Sequence, residues 1–433
     1  MKVICLSTLD KFSRFYLDIE RQLKANHTTN ISLKIFSLYF SGFLYPLLRF
    51  RHSSWISAKA WVLAHFKKTF YLSIINSKNE YKNLKYNDYY RFHSALNRKI
   101  SKQSLQLQTL AYIDIFDAIF TKDQPDYIIS IGDSRLCMEV GIALAKTKNI
   151  KIYYIEQGPF NTTFFDDKGV NANISLREKT KITLSNTDAR NSLNINQESK
   201  TYKYNRSLIY RGLDMALMTL FENTAIYPPD LKYSDLNSYR KNRSYSETKH
   251  SDDEPYALLI LQVPLDVNMV YHSPHFETHT EILESVYANL PKKLKLVVRE
   301  HPLFINKYED TLYNYINENK ILIDNTSSLN SAMESARMII VNNSTVGIEA
   351  IFKYKTVVVL GNAFYDNDYV CLKLKNKAAL SSLLEEAMDY NPNKINIDSF
   401  KYEMYNSVLL QGGISDNSLQ SSKSIANQLL TNA

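Results

Sequence analysis

Residues 338–353 read MIIVNNSTVGIEAIFK, and three local signals follow one another in this stretch. The apolar residues at its start predict a buried strand over Met338–Asn342. The asparagines, serine and threonine that come next are typical of a helix start, because their side chains bond free backbone N–H groups. Apolar residues at helical spacing then predict a helix over Val346–Lys353. This order is typical of an α/β fold.

The same alternation continues on both sides of this stretch. Short apolar runs predict further strands at Tyr256–Val263, Leu294–Arg299, Ile321–Asp324 and Thr356–Gly361. Helical spacing predicts helices at Glu277–Asn289, Tyr308–Asn319, Ser328–Ala336 and Lys377–Tyr390. Strands that alternate with helices form a parallel sheet, so residues 255–400 are predicted to be one Rossmann-like domain.

The N-terminal part is less regular. Strands are predicted at Val3–Ser7, Tyr127–Ile131 and Ile150–Ile155, and helices at Asn87–Phe120 and Arg135–Lys146. They indicate a second Rossmann-like domain with large helical additions over residues 1–235. Residues 236–254 are polar and charged, which is typical of a linker, and residues 401–433 are predicted to be a tail with a loosely ordered end. The predicted fold class is therefore α/β with two Rossmann-like domains.

Composition excludes several classes of protein. With 433 residues and an apolar fraction of 45%, the chain is long enough for two domains. A net charge of +8 indicates an anionic partner, but no dense run of lysine and arginine is present, so we expect no nucleic-acid partner. Cys5, Cys137 and Cys371 are far apart and predict neither a disulfide framework nor a metal site. The first apolar run is too short for a signal peptide, and we expect a cytoplasmic protein.

Two long apolar stretches, Ile35–Leu48 and Trp55–Leu72, are candidates for membrane segments. The first contains Pro46 and is shorter than the ~20 apolar residues that a transmembrane helix needs. The second contains three lysines. We favour buried and half-buried helices for both. The alternative is a basic aromatic face that rests on the inner membrane, as in a peripheral protein.

Ligands of open parallel sheets bind beyond the carboxyl ends of the strands, so the residues that follow each strand are the candidates for a site. They are Gln262, Asp266, Arg299, His301, Asn343, Ser344, Thr345 and Glu349. Ser344 and Thr345 could bind a phosphate at a helix start, although such residues also cap helices without binding anything. Asp266 could serve as base or nucleophile, or merely organise a turn. His301 could donate a hydrogen bond to a phosphate, or be structural.

The N-terminal domain offers a matching residue. Glu156 follows the strand predicted at Ile150–Ile155 and would face Asp266 across a cleft between the domains. A single glutamate at a strand end is more often solvated or paired than catalytic. Its position opposite Asp266 is what favours a role for it.

Several of these motifs together resemble the capsule polysaccharide synthesis family, which includes retaining β-Kdo transferases. The motifs are Glu156–Gly158, Asp167–Asn171, Gln262–Asp266, His272–Pro274, Arg299–Pro302 and Asn343–Glu349. The resemblance extends over residues 127–365, and the first hundred or so residues carry none of the motifs. It implies a GT-B-like fold, a CMP-Kdo donor on the C-terminal domain and a glycan or glycolipid acceptor. It implies no cofactor besides the donor, and we expect no metal ion.

The resemblance also implies a role for each matching residue. Asp266 corresponds to the catalytic carboxylate, His301 to the histidine of the His-Pro pair, Ser344 and Thr345 to phosphate ligands, Glu349 to a ribose ligand and Glu156 to an acidic residue at the reaction centre. Gln262, Arg299 and Asn343 are expected to contact the donor from the strand ends. The alternatives are another cytidine-nucleotide transferase, for a sialic acid or a polyol phosphate, and a non-catalytic subunit of a polysaccharide assembly complex.

Overall fold

The computed structural model describes residues 1–26, 30–178, 202–227, 254–264 and 266–431. They form two compact units. Unit 1 consists of the described residues of Met1–Val170, Glu198–Lys232 and Val408–Ala433, and unit 2 of those of Asn171–Gln197 and Tyr233–Ser407. The chain therefore leaves unit 1 and returns to it more than once.

Unit 1 contains a sheet built from both ends of the chain. Its strands are β1 (Lys2–Ser7), β2 (Ser32–Ser37), β3 (Ser53–Trp55), β4 (Tyr127–Ile131), β5 (Lys151–Gln157), β6 (Thr162–Asp166) and β13 (Leu409–Gln411). They lie in the order β13-β6-β5-β4-β1-β2-β3 among the described residues. The strands from β3 to β5 are parallel, whereas β6 and β13 pair antiparallel. The three strands predicted for this part of the chain are confirmed as β1, β4 and β5.

Helices cover this sheet. They are α1 (Asp10–Asn26), α2 (Phe40–Leu47), α3 (Ile56–Phe66), α4 (Lys68–Ser77), α5 (Arg91–Leu96), α6 (Lys102–Asp123), α7 (Leu136–Thr147), α8 (Leu208–Leu220) and α16 (Gln420–Thr431). The single long helix predicted over Asn87–Phe120 is wrong, because α5 ends at Leu96 and α6 begins after Ser101, whose side chain caps it. Ile35–Leu48 is not one helix either, since its first residues belong to β2.

Unit 2 contains a six-stranded parallel sheet in its described part. Its strands are β7 (Tyr256–Ile260), β8 (Lys295–Arg299), β9 (Leu322–Ile323), β10 (Met338–Val341), β11 (Val357–Val359) and β12 (Leu372–Lys373). They lie in the order β12-β11-β10-β7-β8-β9. This is the strand order of the Rossmann fold. The predicted α/β class with two Rossmann-like domains is confirmed.

The helices of unit 2 also follow the predicted alternation. They are α9 (Val267–Tyr271), α10 (His279–Asn289), α11 (Asp310–Glu318), α12 (Leu329–Ser335), α13 (Val346–Ile351), α14 (Leu380–Asp389) and α15 (Lys394–Ser407). Their inward residues, such as Leu283 and Leu312, join those of β7 and β10 in one apolar core. No helix in the described ranges of either unit is long and apolar enough to cross a membrane.

Two of the sequence-based boundaries differ from the units. Residues 171–178, predicted to be part of the N-terminal domain, belong to unit 2, where Arg177 pairs with Asp366. Residues 408–431, predicted to be part of the tail, belong to unit 1, because β13 pairs with β6. The predicted linker lies outside the described residues except for Glu254.

Gly42 tests how closely α2 is packed in unit 1. A Cβ at this position would lie 2.2 Å from the carbonyl oxygen of Thr8, and backbone cannot rotate away as a side chain can. We expect Gly42→Ala to lower the free energy of unfolding by about 1–3 kcal/mol, measured by denaturant titration. Gly212→Ala is the matched control, because nothing lies within 4 Å of its added Cβ. Equal stability of the two variants would contradict this account of the packing.

Candidate nucleotide site in unit 2

The strand order of unit 2 creates a crevice between β7 and β10. From β7 the chain builds the sheet outward through β8 and β9, and it then returns to the other side of β7 as β10. The connections that follow β7 and β10 therefore diverge and leave a space at the carboxyl edge, where such sheets bind ligands.

A cleft of ≈ 160 Å³ lies at this edge. Six of the residues singled out from the sequence line it: Gln262, Asp266, His301, Asn343, Ser344 and Thr345. Residues that follow three different strands are thus brought together. Arg299 and Glu349 do not line the cleft.

Two amide side chains in the wall of the cleft have polar atoms without a protein partner. Gln262 and Asn343 are each only 6% exposed. Gln262 Oε1 accepts the backbone N–H of Asn343 over 3.3 Å, and Asn343 Nδ2 donates to the carbonyls of Asn268 and His272 over 3.0 Å each. Gln262 Nε2 and Asn343 Oδ1 have no hydrogen-bond partner among the described residues. Such buried atoms are costly unless a ligand or water satisfies them.

His301 is held in one tautomer. The backbone N–H of Leu303 donates to Nδ1 of His301 over 3.3 Å. A nitrogen that accepts a hydrogen bond carries no proton, so the neutral ring is protonated at Nε2. Burial lowers the pKa of His301 below its ordinary value, and the charge of Asp266 acts in the opposite direction. At pH 7 the ring is therefore a neutral donor through Nε2.

Tyr308 connects the ends of β7 and β8, a role that no motif or spacing predicts. Its hydroxyl accepts the backbone N–H of His301 and donates to the carbonyl of Gln262, both over 3.0 Å. Burial raises the pKa of Tyr308, so the phenol stays protonated and keeps both bonds. It fixes the histidine and the glutamine relative to each other.

Asp266 combines a structural and a chemical position. Its carboxylate caps α9 by accepting the backbone N–H of Val267 over 2.7 Å, and it also accepts Nδ2 of Asn268 over 3.0 Å. The turn-forming role foreseen as the alternative is therefore present, and it fixes the orientation of a carboxylate at the cleft.

Ser344 and Thr345 lie at the start of α13. The hydroxyl of Ser344 accepts the backbone N–H of Val346 over 3.4 Å, and the side chain of Thr345 is exposed. Tyr365 donates to the carbonyl of Ser344. A Cβ on Gly347 would lie 2.2 Å from the Tyr365 hydroxyl, so this glycine makes room for the tyrosine.

Arg299 and Glu349 occupy different surroundings. The guanidinium of Arg299 donates to the carbonyls of Asp324 over 3.1 Å and of Ser327 over 2.8 Å, so it holds the loop that follows β9. Glu349 is half-buried within α13. Neither residue faces the cleft described above, and their roles as donor ligands stay predictions.

The cleft also has walls that the sequence analysis did not identify. Ala363 and Phe364 line it from the loop after β11, and Asn171 and Ala172 line it from the segment that opens unit 2. Arg177 donates to both carboxylate oxygens of Asp366 over 2.7 and 2.9 Å, which ties the two walls together. Because β11 was predicted from the sequence, an aromatic residue in the loop after it, Phe364, could have marked this wall of the cleft.

Glu156 belongs to unit 1. It lies at the end of β5, where one oxygen accepts the backbone N–H of Gln157 over 2.9 Å. Burial raises the pKa of Glu156, and Asp133 acts in the same direction, while Arg135 and Lys11 oppose them. A carboxylate with a raised pKa takes up a proton more readily, as a general base must.

Together, the fold and the cleft define a Rossmann-type α/β protein with a polar cleft at the topological switch point of unit 2. The model of one protein family, described as capsule polysaccharide biosynthesis protein, matches residues 126–389, more than half of the chain. The chain belongs to this family.

Individual relatives are more distant. The capsule polysaccharide export protein KpsS of Escherichia coli is 29% identical over 123 residues, which are 26% of this chain and 32% of KpsS. The match thus covers about a third of that relative. Among solved structures, KpsC β-Kdo 2,7 transferase of Thermosulfurimonas dismutans has a TM-score of 0.39 at 13% identity and covers 71% of this chain and 88% of its own. UDP-GlcNAc 2-epimerase of Neisseria meningitidis has a TM-score of 0.35 at 12% identity and covers both chains completely.

His301 provides a direct test of the electrostatics in the cleft. Because the Asp266 charge raises the pKa of His301 against the effect of burial, Asp266→Asn should lower this pKa further. An NMR titration of the ring nitrogens measures the pKa and also reports the Nε2-protonated tautomer. Glu349→Gln is the control and should leave the titration unchanged. A pKa that rises in Asp266→Asn would contradict this description of the cleft.

Proposed function

We propose that this protein is a retaining β-Kdo transferase that uses CMP-Kdo in the synthesis of capsule or of O-antigen and lipopolysaccharide. The proposal combines membership of the capsule polysaccharide family with one observation, the cleft that gathers Asp266, His301, Ser344 and Thr345 around two unsatisfied amide groups. The KpsC structure is described as that of a β-Kdo transferase, which agrees with the proposed substrate class.

The nucleotide half of the donor would contact the neutral donors of the cleft. CMP carries a single phosphate, and His301 Nε2–H with the hydroxyls of Ser344 and Thr345 can bond its oxygens. Because α13 has only six residues, these side chains rather than a long helix dipole supply the interaction. Gln262 Nε2 and Asn343 Oδ1 offer one donor and one acceptor to the rest of the ligand.

The chemistry would proceed by two displacements at the anomeric carbon of Kdo. In the first, an oxygen of Asp266 forms a bond to this carbon while the bond to the CMP phosphate breaks, and CMP leaves with the electron pair. His301 stabilises the charge that develops on the departing phosphate. In the second, an acceptor hydroxyl replaces Asp266 and loses its proton to a general base. Two inversions retain the β configuration.

Glu156 is the proposed general base, because its raised pKa makes the carboxylate a better proton acceptor than an ordinary glutamate. We also propose that transfer needs no divalent cation, since a monophosphate leaving group carries less charge than a diphosphate. Activity should then persist in EDTA.

The phosphate contacts can be tested without the sugar. Ser344→Ala with Thr345→Ala should weaken CMP binding by about 1.5–3 kcal/mol per charge-assisted hydrogen bond lost, measured by calorimetry. Ser381→Ala with Ser382→Ala, two exposed serines on α14, is the matched control. Equal CMP affinity in both double variants would place the phosphate elsewhere.

The covalent intermediate tests the mechanism itself. Incubation with CMP-Kdo and no acceptor should add the mass of one Kdo residue to the protein, and peptide mapping should locate it on Asp266. The adduct should be absent in Asp266→Asn and present in Asp368→Asn, which changes an exposed aspartate of the same unit. An adduct on another residue, or near-normal turnover of Asp266→Asn, would contradict the assignment of the nucleophile.

The alternatives predict different results in the same assays. A transferase for sialic acid or a polyol phosphate would bind the cytidine nucleotide but release it from a different donor. A non-catalytic assembly subunit would form no adduct and would hydrolyse none of these donors.

A further inference from the structure

Unit 1 contains a segment of one-sided charge. Residues 21–79 include nine lysine or arginine residues and no aspartate or glutamate. The positive charge of this segment alone is therefore greater than the net charge of +8 of the whole chain. Some of these cations pair with acidic residues elsewhere in the unit, as Lys34 does with Asp123 (2.7 Å). Lys59 and Lys68 are exposed, and neither forms an ion pair with any residue that the structure describes.

Apolar side chains lie among these cations, first at the turn that ends α2. The carbonyl of Pro46 accepts the backbone N–H groups of Arg49 (2.9 Å) and Arg51 (3.1 Å), which closes the turn. Phe50 has a positive φ of 55° and a side chain that is 97% exposed. A bulky residue rarely adopts this backbone conformation. The turn therefore holds a phenylalanine outward between two arginines.

Helix α3 carries further exposed apolar and basic side chains of unit 1. Val62 and Phe66 are exposed, Phe66 to 89%, and Lys59 lies on the same helix. Beside them an apolar groove of ≈ 760 Å³ is lined by residues of α2, β3, α3 and α6. We call the side chains of Leu48, Phe50, Lys59, Val62, Phe66 and Lys68 the basic apolar face.

Helix α8 presents a second exposed apolar surface in unit 1. Leu208 and Ile209 are exposed, whereas the buried residue of this helix is Asp214. Asp214 accepts the backbone N–H of Ser41 in α2 over 3.0 Å. The ring of Tyr210 lies 5.9 Å from that of Tyr45, so polar and aromatic contacts attach α8 to α2, while Leu208 and Ile209 face outward.

We propose that the basic apolar face docks on the surface of a bilayer that contains anionic lipids. Lys59 and Lys68 complement anionic headgroups, and Phe50 and Phe66 enter the boundary between headgroups and acyl chains. A protein partner would also cover apolar side chains, but exposed lysines that pair with no acidic residue in the described part of the chain, set among exposed apolar side chains, match an extended anionic surface better than a mixed protein surface. This inference is independent of the proposed transferase activity.

The experiment uses the full chain and its own fluorophores. The chain has two tryptophans: Trp55 lines the groove and Trp61 lies on α3, so the quenching of their fluorescence by brominated lipid reports docking of this part of unit 1. The protein should sediment with vesicles of phosphatidylcholine and phosphatidylglycerol and not with vesicles of phosphatidylcholine alone. Lys59→Gln with Lys68→Gln should weaken vesicle binding about 30-fold, because each lysine near such a surface contributes roughly 1 kcal/mol. Phe50→Ser with Phe66→Ser should abolish the quenching.

Matched controls come from unit 2. Lys292→Gln with Lys293→Gln removes the same charge from an exposed site, and Ile395→Ser removes an exposed apolar side chain, so both should bind as the unchanged protein does. Circular dichroism confirms that each variant is folded. Equal binding to neutral vesicles, or unchanged binding of both face variants, would overturn the proposal. So would self-association that Phe50→Ser with Phe66→Ser abolishes in the absence of vesicle binding, which would identify a second copy of the chain as the occupant.

Discussion

Strands β7 and β10 lie side by side and parallel, with Ile260 paired to Val341 in the middle of a sheet that is buried on both faces. Because the two strands run in the same direction, both of them end at the same edge of the sheet. The pairing thereby brings Gln262 within hydrogen-bond distance of Asn343, although 80 residues separate them. On the other side of β7, the parallel pairing with β8 brings His301 to the same edge. The contacts among Gln262, His301 and Asn343 depend on these two ladders.

The cleft retains polar atoms that folding leaves unsatisfied. Leaving a buried donor or acceptor without a partner costs about 1–3 kcal/mol, and Gln262 and Asn343 each contain one such atom. A core built only for stability would place apolar residues there. Tyr308, by contrast, uses its hydroxyl both as acceptor from His301 and as donor to Gln262. The fixed tyrosine and the unsatisfied amides together place polar atoms at defined positions in the wall of the cleft.

The sequence predicted the central strands because they are short, continuous apolar runs bounded by polar turns. It did not separate β2 from α2 within Ile35–Leu48, since an apolar run has no period that distinguishes strand from helix. It predicted which residues follow the strands, but not which of them form hydrogen bonds within the loops instead of lining the cleft. Arg299 holds the carbonyls of Asp324 and Ser327, and only the folded positions of these groups reveal it. Long-range pairing, such as that of β13 with β6, leaves no local signal at all.

The antiparallel pairing of Leu409–Gln411 with Thr162–Asp166 has a further consequence, for the order of events during synthesis. The ribosome makes the chain from its N-terminus, and domains generally fold as they emerge. The last strand of unit 1 and helix α16, in which Ser422 bonds Asp18, are translated after all of β7 to β12. The edge of β6 that pairs with β13 therefore stays unpaired until β13 is made, by which time every strand of the unit 2 sheet has been made. Unit 2 is the part of this protein that can mature first on the ribosome, although it lies in the second half of the chain.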